Sequence, residues 1–325
     1  MIATIFIPVI AILVMIIVGT GLQRRQFRSI MQYPVPLLGG TIVQMFMLPL
    51  GALGIIFLLQ PSQELAAGLL LVSACPGGAL SNFYCHLGRM NVTLSVMMTA
   101  VSSLLAFIAL PIILSVVFPL VVSVQETEIP VSELIHRLFM MLLLPIGIGM
   151  LIRHFFPALV EGHTQSMRVF GLLLVVFLLV LIMFDQWEGA KRLFVDAAVL
   201  TILFTLFAVV SGWMTAFVLG QVDIDRYVFS IEFAVRNIGI AAIVTVTTLG
   251  RPEFVIFGAL FVVFQFPLIM MLLFRRRAMI DTTLICDCRA TPDHLAVILS
   301  GGASNREDIS QTVSGFVPES LFPSL

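Results

Sequence analysis

The chain has 325 residues, 60% of them hydrophobic and only 11% charged, with 17 basic side chains against 18 acidic ones. Soluble domains carry about 25% charged residues, so this composition excludes a water-soluble globule, a disordered chain and a collagen. The balanced charge gives no bulk attraction to nucleic acid.

A spanning helix takes roughly twenty mostly apolar residues, and charge-free runs mark where such helices are expected. They are 1–23, 29–63, 65–88, 90–125, 138–152, 169–184, 197–222, 227–250 and 254–274, the eighth carrying only Glu232 and Arg236. The expectation is an all-α polytopic membrane protein with about nine transmembrane helices in a lipid bilayer. The first run has no basic residue before it, and Arg24, Arg25 and Arg28 follow it; it reads as a retained span rather than a cleavable leader. The short run 138–152 can be lengthened by snorkelling of Glu133 and Arg137.

Basic residues collect in cytoplasmic loops. Alternate loops hold ten of them, from Arg24 to Arg277, while the opposite loops hold Arg137, Lys191, Arg192 and Arg251 beside the acidic Glu126, Glu128 and Glu133. That asymmetry predicts an outside N-terminus and a cytoplasmic C-terminus, and a cell-membrane (inner or plasma) location. Residues 1–277 form the expected transmembrane domain and 278–325 a polar cytoplasmic tail. The cysteines make no framework: Cys75 and Cys85 share one apolar run, and Cys286 and Cys288 are too close for an unstrained bridge.

The third and eighth runs are interrupted. Cys75-Pro76-Gly77-Gly78 removes a backbone donor and frees the chain from helical geometry, and Ser81 and Asn82 follow at once. Glu232 to Gly239 places a carboxylate, a guanidinium and an amide within two turns. Non-helical backbone at membrane depth is tolerated where it lines a cavity or is buried in protein. Runs five apart point in opposite directions, so the pair reads as the trace of an inverted repeat with two broken, crossing helices, a pointer to a carrier's binding site. Two unrelated packing kinks are the bland alternative.

A buried carboxylate is costly unless paired or liganded, and Glu232 is the only acidic residue inside the nine runs. Ser95 and Thr99, four apart, share one helix face. With Ser81, Asn82 and Glu232 they offer oxygens to a hard cation, and neutral hydroxyls with one carboxylate suit Na⁺ as the coupling ion. Singly, such hydroxyls more often bond their own helix carbonyls. Two other functions compete. A proton-coupled or uncoupled anion carrier or exporter would use Glu232 to bind H⁺. More remote is an intramembrane enzyme with Cys75 as nucleophile, whose nearest histidine, His86, lies eleven residues on. Gln265, beside Pro267, reaches either the cavity or a neighbouring helix.

At these residues the chain resembles the bile acid:sodium symporter family. Cys75-Pro-Gly-Gly-Ala-Leu-Ser-Asn82, then Asn91-Val-Thr-Leu-Ser-Val96 and Thr99, is similar to that family's first crossover signature. Ile231-Glu-Phe-Ala-Val-Arg-Asn-Ile-Gly239 is similar to its second, and Gln44-Met-Phe-Met-Leu-Pro49 to a further stretch. The resemblance implies a first sodium site of Ser81, Asn82, Ser95, Thr99 and Glu232. It implies a second from Gln44, Glu232 and the carbonyls of Phe233 and Val235, and a small organic anion, such as a bile acid or a pantoate-like acid, facing Asn237 and the backbone near Ala79. It also implies alternating access, with a core of spans within 29–125 and 195–277 rocking against a panel of spans within 1–23 and 129–185. Ten-span members would have one more span than the nine here. A homodimer stands beside a monomer as an open alternative.

Where those transporters place a glutamine at the second site, this sequence has Arg236. A sodium ion about 4 Å from a guanidinium would be repelled by about 4 kcal/mol at an effective dielectric of about 20. Three readings follow: Arg236 is a built-in cation replacing the second sodium, it neutralises Glu232, or it pairs with the anionic substrate.

Overall fold

The computed structural model describes residues 2–21, 34–121, 136 and 139–290. Every described element is helical: α1 (Ile2–Gly21), α2 (Gly40–Leu59), α3 (Gln63–Ala74), α4 (Ala79–Leu87), α5 (Val92–Ile112), α6 (Leu144–Phe155), α7 (Pro157–Gly162), α8 (Thr164–Asp185), α9 (Trp187–Val218), α10 (Asp223–Ala234), α11 (Ile238–Ile243) and α12 (Val255–Ala290). The chain divides into two compact units, Met1–Leu273 and Phe274–Leu325. In the second unit the described residues are helical as far as Ala290.

Three helices are long and apolar enough to cross a membrane, covering Val35–Leu59, Trp187–Val218 and Pro252–Arg277. Val92–Ala106 and Ile108–Leu120, bent by 45°, make a fourth if taken as one span. Nine charge-free runs therefore become three or four single spans among the described residues, partly because proline and glycine divide several runs. Pro111 cannot donate to the carbonyl one turn back, and the helix beyond it widens into a π turn at Ile113–Val117. Similar π turns lie beside Pro34 and Pro36 (Val35–Gly39) and Pro145 (Phe139–Leu143).

Large apolar side chains face outward, among them Leu58, Phe46, Phe184 and Val218. Such a surface is insoluble in water and suited to lipid; the protein is integral to a membrane.

Helix packing relies on glycine where backbones meet. A Cβ on Gly149 would strike the carbonyl of Ile16, and one on Gly19 the carbonyl of Ile146, so α1 and α6 touch main chain to main chain, as small residues permit in membranes. Arg153 then donates to the Thr20 carbonyl at 2.8 Å, closing the C-terminal end of α1. Gly212 of α9 lies against the Phe229 carbonyl of α10, and Gly68 of α3 against Phe257 of α12. Helix α1 also reaches α11, where the Met15 methyl group lies 3.7 Å from the place a Gly239 Cβ would take.

Candidate functional site

The two interruptions meet. Helix α3 stops at Ala74 because Cys75 turns extended (φ −67°, ψ 153°) ahead of Pro76, and Gly78 stays extended (φ −95°, ψ 151°) until α4 begins. Helix α10 stops at Ala234, where Val235 (φ −89°, ψ 107°) and Asn237 (φ −83°, ψ 90°) are extended in turn. Gly77 and Arg236 form an antiparallel bridged pair. The Gly78 N–H donates to the Val235 carbonyl at 3.0 Å and the Asn237 N–H to the Pro76 carbonyl at 3.0 Å. Each break thereby satisfies main-chain groups that the other would leave orphaned in an apolar interior. Gly78 permits this approach, since a Cβ there would be 2.8 Å from the Arg236 carbonyl oxygen.

Beside this crossing lies the Glu232 carboxylate, fully buried on the last turn of α10. Its Oε1 accepts from Ser81 Oγ at 2.5 Å, from Ser95 Oγ, and from Thr99 Oγ1 at 3.1 Å; Thr99 Oγ1 is also 3.1 Å from Oε2. Ser95 Oγ lies 2.8 Å from Asn82 Oδ1, and Ser81 Oγ 2.7 Å from the Gly78 carbonyl. The first turn of α4 supplies Ser81 and Asn82, and one face of α5 supplies Ser95 and Thr99. Asn91 fixes the start of α5 by accepting from the Leu94 N–H at 3.1 Å. Ser81, Ser95 and Thr99 are buried, while Asn82 is half-buried.

Three hydroxyl protons thus serve two carboxylate oxygens, an amide oxygen and a main-chain carbonyl. Oxygen acceptors outnumber protons, which is the donor set a small hard cation wants.

Arg236 is buried, and its hydrogen bonds go to main-chain oxygens: NH1 to Glu232 at 3.4 Å, NH2 to Ser73 at 3.3 Å and also to Cys75. These are the C-terminal carbonyls of α10 and α3, where helix dipoles place partial negative charge. Gln44 donates to the same Glu232 carbonyl at 3.2 Å, and Gln265 to that of Ala234 at 2.5 Å. Among the described residues, the buried Gln44 Oε1 and Arg236 Nε have no hydrogen-bond partner.

The Phe233 ring packs against Phe229, and the Val235 carbonyl is already engaged by Gly78. Asn237 is half-buried, and its Oδ1 accepts from the Ile240 N–H at 3.3 Å, capping α11. Ala79 opens α4. The structure therefore gathers Ser81, Asn82, Ser95, Thr99 and Glu232 at one place and Gln44, Arg236 and Gln265 at the carbonyl end of α10. Cys75 and Cys85 are buried free thiols, and His86 is exposed.

Two roles escape a reading of the sequence, that of Gly77 beside the carboxylate and that of Ser102. Gly77 leaves room for the carboxylate: a Cβ there would be 2.5 Å from Glu232 Oε2. Ser102 accepts from the Gly77 N–H at 3.2 Å and donates to the Thr99 carbonyl at 3.0 Å. The signal for Ser102 was present, since it continues the stripe of Ser95 and Thr99 by one more turn.

Interrupted helices paired through their breaks, in a lipid-facing helical bundle with a buried carboxylate among hydroxyls, are the architecture of a membrane carrier. Residues 8–218 match the model of the Sodium Bile acid symporter family, and the chain belongs to that family, whose members are transporters and not enzymes. The chain is 27% identical over 240 residues to "Uncharacterized sodium-dependent transporter YocS" of Bacillus subtilis, covering 73% of this chain and 72% of that one. It is 32% identical over 164 residues to the "Probable sodium/metabolite cotransporter BASS2, chloroplastic" of Oryza sativa, covering 50% and 38%. It is 27% identical over 221 residues to the human "Ileal sodium/bile acid cotransporter", covering 66% and 60%. The matches thus span less than two thirds of the plant and human relatives.

Proposed function

We propose that the protein is a sodium-coupled symporter of a small organic anion, working by alternating access. The observation that carries this reading is the Glu232 carboxylate, buried where the two breaks meet and surrounded by the oxygens of Ser81, Asn82, Ser95 and Thr99. A buried carboxylate without a cation is costly, and Na⁺ supplies the charge without demanding strict octahedral geometry. The three relatives above all carry sodium in their names.

In this reading Arg236 is the resident cation of the second site. Its guanidinium reaches the carbonyls of Glu232, Ser73 and Cys75, the end of both half-helices, where a bound cation would also be stabilised. That geometry favours the built-in cation over pairing with substrate, because NH1 and NH2 are both held by main chain. It leaves one sodium ion per transport cycle, at Ser81, Asn82, Ser95, Thr99 and Glu232, with Gln44, Phe233 and Val235 around the altered second site. The cargo faces Ala79 and Asn237. Gln265, engaged with Ala234, holds the end of α10.

The two breaks belong to an inverted repeat in a nine-span bundle. Spans within 29–125 and 195–277 form the moving core, and those within 1–23 and 129–185 form the panel. The excess of arginine in alternate loops supports an outside N-terminus and a cytoplasmic tail. The rival reading gives the carboxylate to H⁺, and one observation favours it: Ser81, Ser95 and Thr99 all reach Glu232 directly, so the cluster closes on itself.

The test is an uptake screen in proteoliposomes over monocarboxylates and sulfonated amphiphiles, with sodium or choline outside. Accumulation of at least one anion only under an inward sodium gradient supports symport. Accumulation that follows a pH gradient and ignores the choline replacement gives Glu232 to the proton.

A further inference from the structure

Ser102 lies three residues beyond Thr99 and seven beyond Ser95, on the same face of α5, and is fully buried. Its hydroxyl joins two main-chain groups: it accepts the Gly77 N–H at 3.2 Å and gives its proton to the Thr99 carbonyl at 3.0 Å.

The pairing of the two breaks explains why Gly77 needs this partner. The cross-break hydrogen bonds run from Gly78 to Val235 and from Asn237 to Pro76, the residues flanking the bridged pair. Gly77 and Arg236 are thus a non-hydrogen-bonded pair, whose own N–H and C=O groups point away from each other. The Gly77 N–H is directed at α5, in a buried place, and Ser102 is its acceptor. Gly77 is also wedged between two oxygens, since a Cβ there would lie 2.5 Å from Glu232 Oε2 and 3.6 Å from Ser102 Oγ.

We infer that Ser102 is a positioning residue for the cation site, holding the extended segment at Gly77 at the depth at which the Glu232 carboxylate meets Thr99. One hydroxyl ties together the α5 turn that carries Thr99, which bonds the Glu232 carboxylate, and the break that carries Gly77, where a Cβ would strike the same carboxylate. Without it the Gly77 amide is a buried orphan, and the extended segment has no fixed height against α5. Neighbouring Ser103 donates to the same Thr99 carbonyl at 2.8 Å, but that bond stays within its own helix. It is therefore a matched control. This inference rests on the proposed sodium site.

The test is binding of radioactive sodium by the full-length protein in detergent, titrated with sodium chloride at ionic strength held by choline chloride. Thermal melting in choline alone serves as the measure of folding. Ser102→Ala is expected to raise the half-saturating sodium concentration about tenfold, and Ser103→Ala by less than about twofold. Ser102→Cys keeps the volume and a weak acceptor, should lie between, and stands in if the alanine variant does not fold. Both serine variants binding sodium as the wild type does, or Ser103→Ala weakening binding as much as Ser102→Ala, would overturn the inference while leaving the site intact. A wild-type protein that binds no sodium would overturn the site reading, and the inference with it.

Discussion

Gly77 and Glu232 fit so closely that a methyl group on Gly77 would lie 2.5 Å from the carboxylate Oε2. Backbone and acid therefore share one small space at the crossing, and the glycine is required for volume rather than for an unusual dihedral. Gly77→Ala should turn the carboxylate away from Ser81, Ser95 and Thr99. Charge-assisted hydrogen bonds are worth about 1.5–3 kcal/mol each, so sodium activation of uptake should weaken on the order of tenfold to a hundredfold. A sodium titration of uptake measures this, and an unchanged half-saturation would contradict the fit.

Arg236→Gln should replace a guanidinium with the neutral amide usual in the resembling transporters. The carbonyls of Ser73, Cys75 and Glu232 lose their cation, and the repulsion of about 4 kcal/mol against a nearby sodium ion disappears. The Hill coefficient for sodium should rise from about one toward about two. A coefficient already near two in the wild type would remove the built-in-cation reading.

Gly149 and Gly147 lie two residues apart on α6 and should respond oppositely to alanine. Nothing lies within 4 Å of a Cβ on Gly147, whereas one on Gly149 meets the main chain of α1. Gly147→Ala should stabilise slightly, by about 0.5–1 kcal/mol, through helix propensity. Gly149→Ala should destabilise by about 1–3 kcal/mol, through forced separation of α1 and α6. Thermal melting of the purified variants reads both signs.

Cys75 provides a negative expectation. Its side chain is buried and it is the main-chain carbonyl, not the sulfur, that Arg236 engages. Cys75→Ala should leave sodium-driven uptake within about twofold of wild type, as for a small packing residue. Complete loss with a folded protein would demand a chemical role for the thiol.

The parts of this structure that show in the sequence are those where residue type alone forces the backbone. Pro76 followed by two glycines announces the end of α3, and isolated polar groups at Ser81, Ser95, Thr99 and Glu232 in apolar runs announce a cluster. The contacts of Arg236 do not show. Spacing of four from Glu232 suggests a side-chain ion pair, but the crossing brings Ser73 and Cys75 within reach, and their carbonyls are invisible to any pattern of side chains. Gly77 against Glu232 is hidden for the same reason, since 155 residues separate them and only the pairing of breaks joins them. The count of spans is blurred by bends and breaks: the run 90–125, which holds Pro111, bends by 45°, and the runs 65–88 and 227–250 are each divided at the crossing. Residues 1, 22–33, 122–135, 137–138 and 291–325 lie outside the described residues, and with them Arg24, Arg25, Arg28, Arg137 and the acidic cluster Glu126, Glu128 and Glu133, part of the charge pattern that orients the chain.

Whether Glu232 holds the coupling sodium ion is decided by anion uptake into proteoliposomes by the wild type and by Glu232→Gln, assayed with sodium and with choline. Wild-type accumulation is expected only with an inward sodium gradient, at a Hill coefficient of about one, with no sodium stimulation in the folded variant. Wild-type uptake indifferent to choline, or a Glu232→Gln protein still driven by sodium, would contradict that role for Glu232.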